Sequence, residues 1–145
     1  MRISSRAIVL QGGKLLAMFR RKIKDGVTKE YYAIPGGGLE EGESLEENVI
    51  RELKEEMSVD VKVLGYLGSF SNEKTEQHYF HCEIIAGEVA LGGEELERMT
   101  EENYYEPRFL DLADLENVSI FGYTKNEKRI FWKKEKCVKL FYFRK

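Results

Sequence analysis

The fold class predicted by the sequence is a single mixed α/β domain spanning residues 1–145, and three observations predict it. A length of 145 residues is one domain's worth of chain. Short apolar runs bounded by glycine or polar residues recur along most of it, as strands do. The segment Ser44–Val59 differs, carrying a capping box and apolar residues at helical spacing.

Composition narrows the function classes. Hydrophobic residues make up 42% of the chain and charged residues 34%, as in soluble globular proteins. A chain of this length buries roughly two thirds of its unfolded surface without disulfides or metal staples. A net charge of −3 and a pI near 5.6 argue against a basic nucleic-acid binder. No apolar run approaches the roughly 18 residues of a membrane span, so no membrane partner is expected. The opening MRISSRAIVLQGG lacks the pattern of a secretory signal and reads as a strand. Cys82 and Cys137 stand far apart in no metal spacing, which suits two reduced thiols in a cytoplasmic protein.

The elements follow in order. Ile8-Val9-Leu10 and Leu15–Phe19 flank Gly12-Gly13, which predicts a hairpin on a tight turn with positive φ. Arg20–Glu30 is polar and reads as a loop. Tyr31–Ile34 is a short strand ended by Pro35-Gly36-Gly37-Gly38. Ser44 and Glu47 form the capping box of a helix whose stripe is Leu45, Val49, Ile50, Leu53 and Met57. Val59, Val61 and Val63 alternate as in a half-buried strand, and Tyr79–Ile85 reads as another. Glu88–Tyr105 reads as a long loop with room for a short helix. Arg108–Leu112 reads as a last sheet strand, and Val138–Phe143 as an edge strand able to pair with a second copy, so monomer and homodimer both stay open.

The helix carries the chemistry. With Leu45 at 0° and 100° per residue, the apolar stripe centres near about 75°, and Glu52, Glu55 and Glu56 fall at about −20°, −80° and 20°. Three carboxylates at i, i+3 and i+4 thus share one face at the rim of the buried stripe. Like charges so close repel, and at a cleft they call for a cation. Oxygen-only donors suit a hard ion such as Mg²⁺. Because the chain is rich in glutamate, a merely solvated acidic face is the competing reading.

The surrounding spacing decides between them. Gly37, Glu43, Arg51-Glu52, Leu53, Glu55-Glu56 and Val59 follow the order Gly, five residues, Glu, seven residues, Arg-Glu, aliphatic, any, Glu-Glu, any, Gly, aliphatic. That is the signature of the Nudix hydrolases, which this chain resembles over 23 residues and in its Pro35-Gly36-Gly37 lead-in. The one departure is Ser58 in place of the last glycine. Glycine there would close the helix with a left-handed cap, which serine adopts at a cost of about 1 kcal/mol.

The resemblance implies an α/β/α sandwich with a mixed sheet and one catalytic helix. It also implies Mg²⁺-dependent hydrolysis, with Mn²⁺ able to substitute, of the diphosphate bridge of a nucleoside diphosphate linked to another moiety. The small-molecule nucleotide would be a nucleoside triphosphate or a nucleotide sugar such as ADP-ribose. Glu52, Glu55 and Glu56, with the Gly36 carbonyl, match the metal ligands. Arg51 matches the arginine that pairs with Glu43. Glu52 is the first candidate for the base and Glu55 the second. An acid outside the signature is a further candidate among Glu94, Glu95, Glu101, Glu102 and Glu106, with Glu106 preferred because it stands just before a strand.

Substrate binding falls to Gly37, whose backbone allows close approach to a phosphate, to Arg20 at the end of a strand, and to Tyr32, where the family often has a large aromatic. His78 and His81, at i and i+3 on a strand, point to opposite faces and make no metal pair. A capped RNA end is a lesser substrate, supported only by the excess of nine bases over two acids from Thr124 to Lys145. The alternative from another class is a Nudix-type module that senses a nucleotide without cutting it.

Overall fold

A computed structural model of the chain describes residues 1–111, 128–133 and 137–142. The first hairpin joins β1 (Arg2–Gln11) to β2 (Lys14–Lys24). Gly12 and Gly13 have φ of 59° and 76°, the double positive φ of the expected tight turn. β2 does not stop at Arg20. It runs to Lys24 and returns as β3 (Val27–Ala33), with Lys24 opposite Val27. Asp25 and Gly26 repeat the double positive φ, at 52° and 76°. The expected Arg20–Glu30 loop is therefore a hairpin. Its tip reads as polar because the ribbon is exposed there, and the Asp-Gly pair is its signal.

β1 and β3 share one edge of β2 at its two ends, while β7 (Asn103–Asp111) takes the other edge. β7 begins at Asn103 rather than Arg108, so Tyr104 and Tyr105 belong to it and not to the preceding loop. Pro107 hides the strand in the sequence, since proline lacks the N–H a central strand needs. β7 tolerates it because, among the described residues, it pairs on one side alone. Leu112 lies outside the described residues.

Past the first turn β1 leaves β2. It then pairs parallel with β6 (Thr75–Ala86) and antiparallel with β4 (Gly36–Gly38). β5 (Asp60–Ser71) completes this side, antiparallel to β6. The sheet is thus mixed, as expected. Gly36–Gly38, read from sequence as the end of a strand, is itself one. β8 (Lys128–Lys133) and β9 (Cys137–Tyr142) form a separate antiparallel hairpin, and Phe143 lies outside the described residues.

Helix α1 (Leu45–Met57) packs on β1, β4, β5 and β6. Its capping box is formed: Ser44 Oγ accepts from the Glu47 N–H at 3.1 Å, and Glu47 Oε1 accepts from the Ser44 N–H at 2.9 Å. Val49, Leu53 and Met57 are fully buried against Ala7, Val9, Leu16, Met18, Val61, Phe80 and Cys82. Ile50, expected in the stripe, is 39% exposed, and Asn48 and Glu56 are buried instead. The helix is rolled so that its buried arc centres near about 40° rather than 75°. That roll carries Glu56 under cover, leaving it 7% exposed. No helix among the described residues is long and apolar enough to cross a membrane.

Ser58 ends α1 in the left-handed region, at φ 63° and ψ 25°. Its Oγ donates to the Ala90 carbonyl at 2.9 Å. The N–H groups of Ala90 and Gly92 in turn donate to the Met57 and Glu56 carbonyls. The segment leading into α2 (Gly93–Arg98) thereby satisfies the carbonyls that a helix end leaves open. It can come this close because Gly92 has no Cβ, which would stand 2.6 Å from the Glu55 carbonyl.

Ser58→Gly removes left-handed strain but also the hydroxyl bond, so unfolding in urea is expected to show a change well under 1 kcal/mol. Ser58→Ala keeps the strain and loses the bond, and is expected to cost about 1 kcal/mol. Equal effects of the two would remove this account of the cap.

Candidate active site

The site is built on β4, three glycines held between β1 and α1. At Gly36 φ is 148°, and a Cβ there would stand 2.1 Å from the Ser5 carbonyl oxygen. A Cβ on Gly37 would stand 2.5 to 2.7 Å from the carboxylate atoms of Glu52. Helix side chains reach the strand where its own side chains are missing. Gly36 N–H donates to Glu56 Oε2 at 3.3 Å. Asn48 Nδ2 and Arg51 Nη2 donate to the Gly38 carbonyl at 2.9 and 3.2 Å.

Arg51 gathers the acids around it. Nε and Nη2 donate to the two Glu43 oxygens at 2.6 and 3.1 Å, a bidentate pair. Nη1 donates to Glu52 Oε1 at 3.1 Å and Glu55 Oε2 at 3.0 Å. The Arg51 bond holds the Glu43 carboxyl below its ordinary range, and Glu43 in turn raises the Arg51 guanidinium. The pairing that the Nudix resemblance implies is present. It locks the loop 39–44 onto the helix turn that carries the acids.

Those acids occupy three different environments. The Glu55 side chain is 55% exposed. Glu52 is mostly covered, and burial raises its pKa while Arg51 pulls it back. Glu56 is 7% exposed, and burial pushes it up to about 8. Arg6 opposes that rise, whereas Glu95 of α2 and Glu52 add to it. Arg6 itself donates to the Ile34 carbonyl at 2.8 Å and to Gln77 Oε1 at 3.0 Å.

Outside the signature, the structure joins two of the expected residues and separates a third. Tyr32 Oη accepts from Arg108 Nη1 at 3.2 Å, and Arg108 Nε donates to Glu106 Oε1 at 2.6 Å. Glu106 also accepts from Tyr104 Oη at 2.5 Å, and these bonds hold its carboxyl low. The Arg108 guanidinium lies 3.9 Å from the Phe19 ring centre. Arg20, next along β2, points to the other face. Its guanidinium lies 3.8 Å from the Tyr105 ring centre and donates to Asn103 Oδ1 at 3.0 Å, with Nε buried and unbonded among the described residues. His78 bonds Glu76 and Tyr66 instead of joining any acid of the helix.

Sequence reasoning missed Asn48, Arg6 and Arg108. Asn48 gave a signal, as a polar residue bordering the buried arc of the helix. Arg6 gave one too, as a charge inside an apolar strand.

A cation fits this site by donor chemistry. Glu52, Glu55, Glu56 and the Gly36 carbonyl offer oxygen alone. A carboxylate as buried as that of Glu56 must either take up a proton or face a positive charge. Among the described residues, no three His, Cys, Asp or Glu side chains surround one point as they stand, since Glu55 is turned onto Arg51.

Two outcomes follow. Glu56 holds its proton more tightly folded than unfolded, so its contribution to stability is complete below pH 4.5 and lost as pH rises to about 8. In chelator, unfolding free energy is expected to fall across that window by up to about 1.4 kcal/mol per pH unit. Glu56→Gln should flatten the slope, and a flat wild-type profile would contradict the burial argument. Gly37→Ala drives a Cβ into Glu52, so activity is expected to drop about tenfold or more while the circular dichroism spectrum holds. Full activity in that variant would refute the close approach.

Comparison with known proteins identifies the family. The NUDIX domain family matches residues 1–132. The chain is 33% identical over 114 residues to an ADP-ribose pyrophosphatase of Methanocaldococcus jannaschii, covering 74% of this chain and 60% of that one. It is 34% identical over 100 residues to an NAD-capped RNA hydrolase, NudC, of Pseudomonas putida, covering 66% and 35%. The chain thus spans less than two thirds of the length of either relative. Among solved structures, a NUDIX hydrolase from Nitrosomonas europaea superposes with a TM-score of 0.62 at 15% identity, over 81% of this chain and 76% of that one. By its signature, its fold and this match over most of its length, the chain belongs to the Nudix family.

Proposed function

We propose that the protein is a Mg²⁺-dependent hydrolase that cleaves the diphosphate bridge of a nucleoside diphosphate linked to another group. The observation that carries this reading is the pair of desolvated carboxylates, Glu52 and Glu56, set against a glycine strand and tied to one arginine. The name of the Methanocaldococcus jannaschii relative favours ADP-ribose among the substrates. Nucleoside triphosphates and other nucleotide sugars remain in the same class.

Glu52, Glu55, Glu56 and the Gly36 carbonyl would hold the cation. When bound, it supplies neutralising charge for the diphosphate and a lower pKa for water. Glu52 takes the proton of the attacking water. Burial makes it a stronger base than an exposed carboxylate, and Arg51 at 3.1 Å fixes its orientation. The water oxygen bonds to phosphorus as the bridging oxygen leaves with the departing phosphate. The space beside Gly37 is filled by the Glu52 carboxylate rather than left for a phosphate, so the phosphate contact falls to Arg20, on the face of β2 opposite Tyr32, whose charge no carboxylate among the described residues neutralises. Tyr32, backed by Phe19 at 5.4 Å, offers an aromatic face to the base. Glu106 is engaged by Tyr104 and Arg108, which favours Glu95, whose charge reaches both Glu52 and Glu56, as the further acid.

The test is product release from nucleoside triphosphates, ADP-ribose, nucleotide sugars and dinucleoside polyphosphates, with Mg²⁺, Mn²⁺ or chelator. Metal-dependent cleavage is expected in the wild type, with a loss of about 10²-fold or more in Glu55→Gln. Tight binding of one compound without turnover would instead establish a sensor. The absence of both binding and turnover across the panel would overturn the proposal.

A further inference from the structure

The grip on the glycine strand includes one residue with no chemistry of its own. Asn48 is fully buried in α1 and spans three elements. Its Nδ2 donates to the Gly38 carbonyl of β4 at 2.9 Å, and its Oδ1 accepts from the Ser5 N–H of β1 at 3.0 Å. The Ser5 hydroxyl, also buried, lies within bonding reach of Asn48 Oδ1 and of the Leu45 carbonyl. A side chain thus takes the Ser5 N–H at the place where β4 lies against β1.

β4 depends on such contacts. Its residues have no side chains, so nothing of their own anchors them to the helix. Steric fit keeps atoms apart at Gly36 and Gly37 but does not draw the strand to α1. The attraction comes from three helix side chains: Asn48, Arg51 and Glu56. Arg51 also holds Glu43, Glu52 and Glu55, and Glu56 is itself an acid of the site. Any change in the charge around those acids therefore acts on Arg51 and Glu56, while Asn48, uncharged and sealed, keeps its bond. Arg51 and Asn48 share the two lone pairs of one carbonyl, so loss of Asn48 leaves Gly38 held by a residue that also serves Glu43, Glu52, Glu55 and, at 3.5 Å, Glu40.

We propose that Asn48, fixed by Ser5, is a positioning residue that sets the distance between the Gly36–Gly37 backbone and the Glu52 and Glu56 carboxylates. This rests on the reading of the glycine strand and the helix acids as the catalytic site. Asn48 does not touch the substrate. It fixes β4, and β4 leaves beside Gly37 the space that the Glu52 carboxylate occupies and brings the Gly36 N–H to Glu56.

The experiment compares Asn48→Ala with Val49→Ala, which also trims a buried side chain of α1 but bonds nothing in β4, and with Glu52→Gln. Mn²⁺ affinity by calorimetry, kcat and KM with the best substrate of the panel, and Tm are measured on each full-length protein. Asn48→Ala is expected to lose about tenfold in Mn²⁺ affinity and about tenfold in kcat with KM within about twofold, a geometric fault in the site. Val49→Ala is expected to lower Tm at least as far while moving kcat and Mn²⁺ affinity by less than about twofold. If Asn48→Ala follows Val49→Ala on every readout, its role is packing alone and the inference is wrong. Should Asn48→Ala fail to fold, Ser5→Ala replaces it, with about a threefold loss expected in the same two readouts; no loss there overturns the inference equally. Glu52→Gln separates the two claims. Retained activity in that variant overturns the catalytic reading itself, whereas lost activity beside an unaffected Asn48→Ala overturns only the positioning role.

Discussion

The close passage of Gly36–Gly38 between β1 and α1 is the constraint on which the rest of the site depends. A Cβ at either of the first two positions would overlap a neighbour, Ser5 on one side and Glu52 on the other. With side chains excluded, the helix must supply the polar contacts, and it does so from one face. Asn48, Arg51, Glu52 and Glu56 are spaced so that successive turns reach the strand. The loop between strand and helix is held by the Arg51–Glu43 pair, so strand, loop and helix form one locked unit.

The same packing creates the electrostatic tension of the site. Val49, Leu53 and Met57 draw α1 onto the sheet, and each buried side chain of that size contributes about 1.5–3 kcal/mol. Glu56 shares their face and is carried under cover with them. Among the described residues its hydrogen-bond donor is a backbone N–H at 3.3 Å, too long to offset the loss of water. Core formation and a high-energy carboxylate are therefore one event. Glu55, a position earlier, stays in solvent, and Glu52 lies between. Three identical side chains meet different degrees of burial from their positions on one helix, which suits division of labour between holding a cation and accepting a proton.

Much of this was legible in the sequence, and what was not has identifiable causes. The capping box, the acid spacing and the Glu43–Arg51 pair depend on local spacing, so a reader of residues finds them. The β2–β3 hairpin was hidden because its residues are polar on an exposed ribbon, although Asp25-Gly26 signals the turn. β7 was hidden by Pro107, which is harmless at an edge and disqualifying in a centre. Ile50 was placed in the core by periodicity alone. The helix instead rolled toward Asn48 and Glu56, because the polar contacts with β1 and β4 outweigh one isoleucine at the rim. The Tyr32–Arg108–Glu106 network joins residues 76 apart in sequence, and only strand pairing brings them together.

The central claim is that folding buries Glu56 without full compensation, leaving a carboxylate ready for a cation. Its most direct test is the titration of the Glu56 side-chain carboxyl by ¹³C NMR, in chelator and in saturating Mg²⁺. The account predicts an apparent pKa near 8 in chelator and a fall below the ordinary carboxylate range when Mg²⁺ is present. An ordinary value in chelator, or a raised value that Mg²⁺ leaves unmoved, would contradict it.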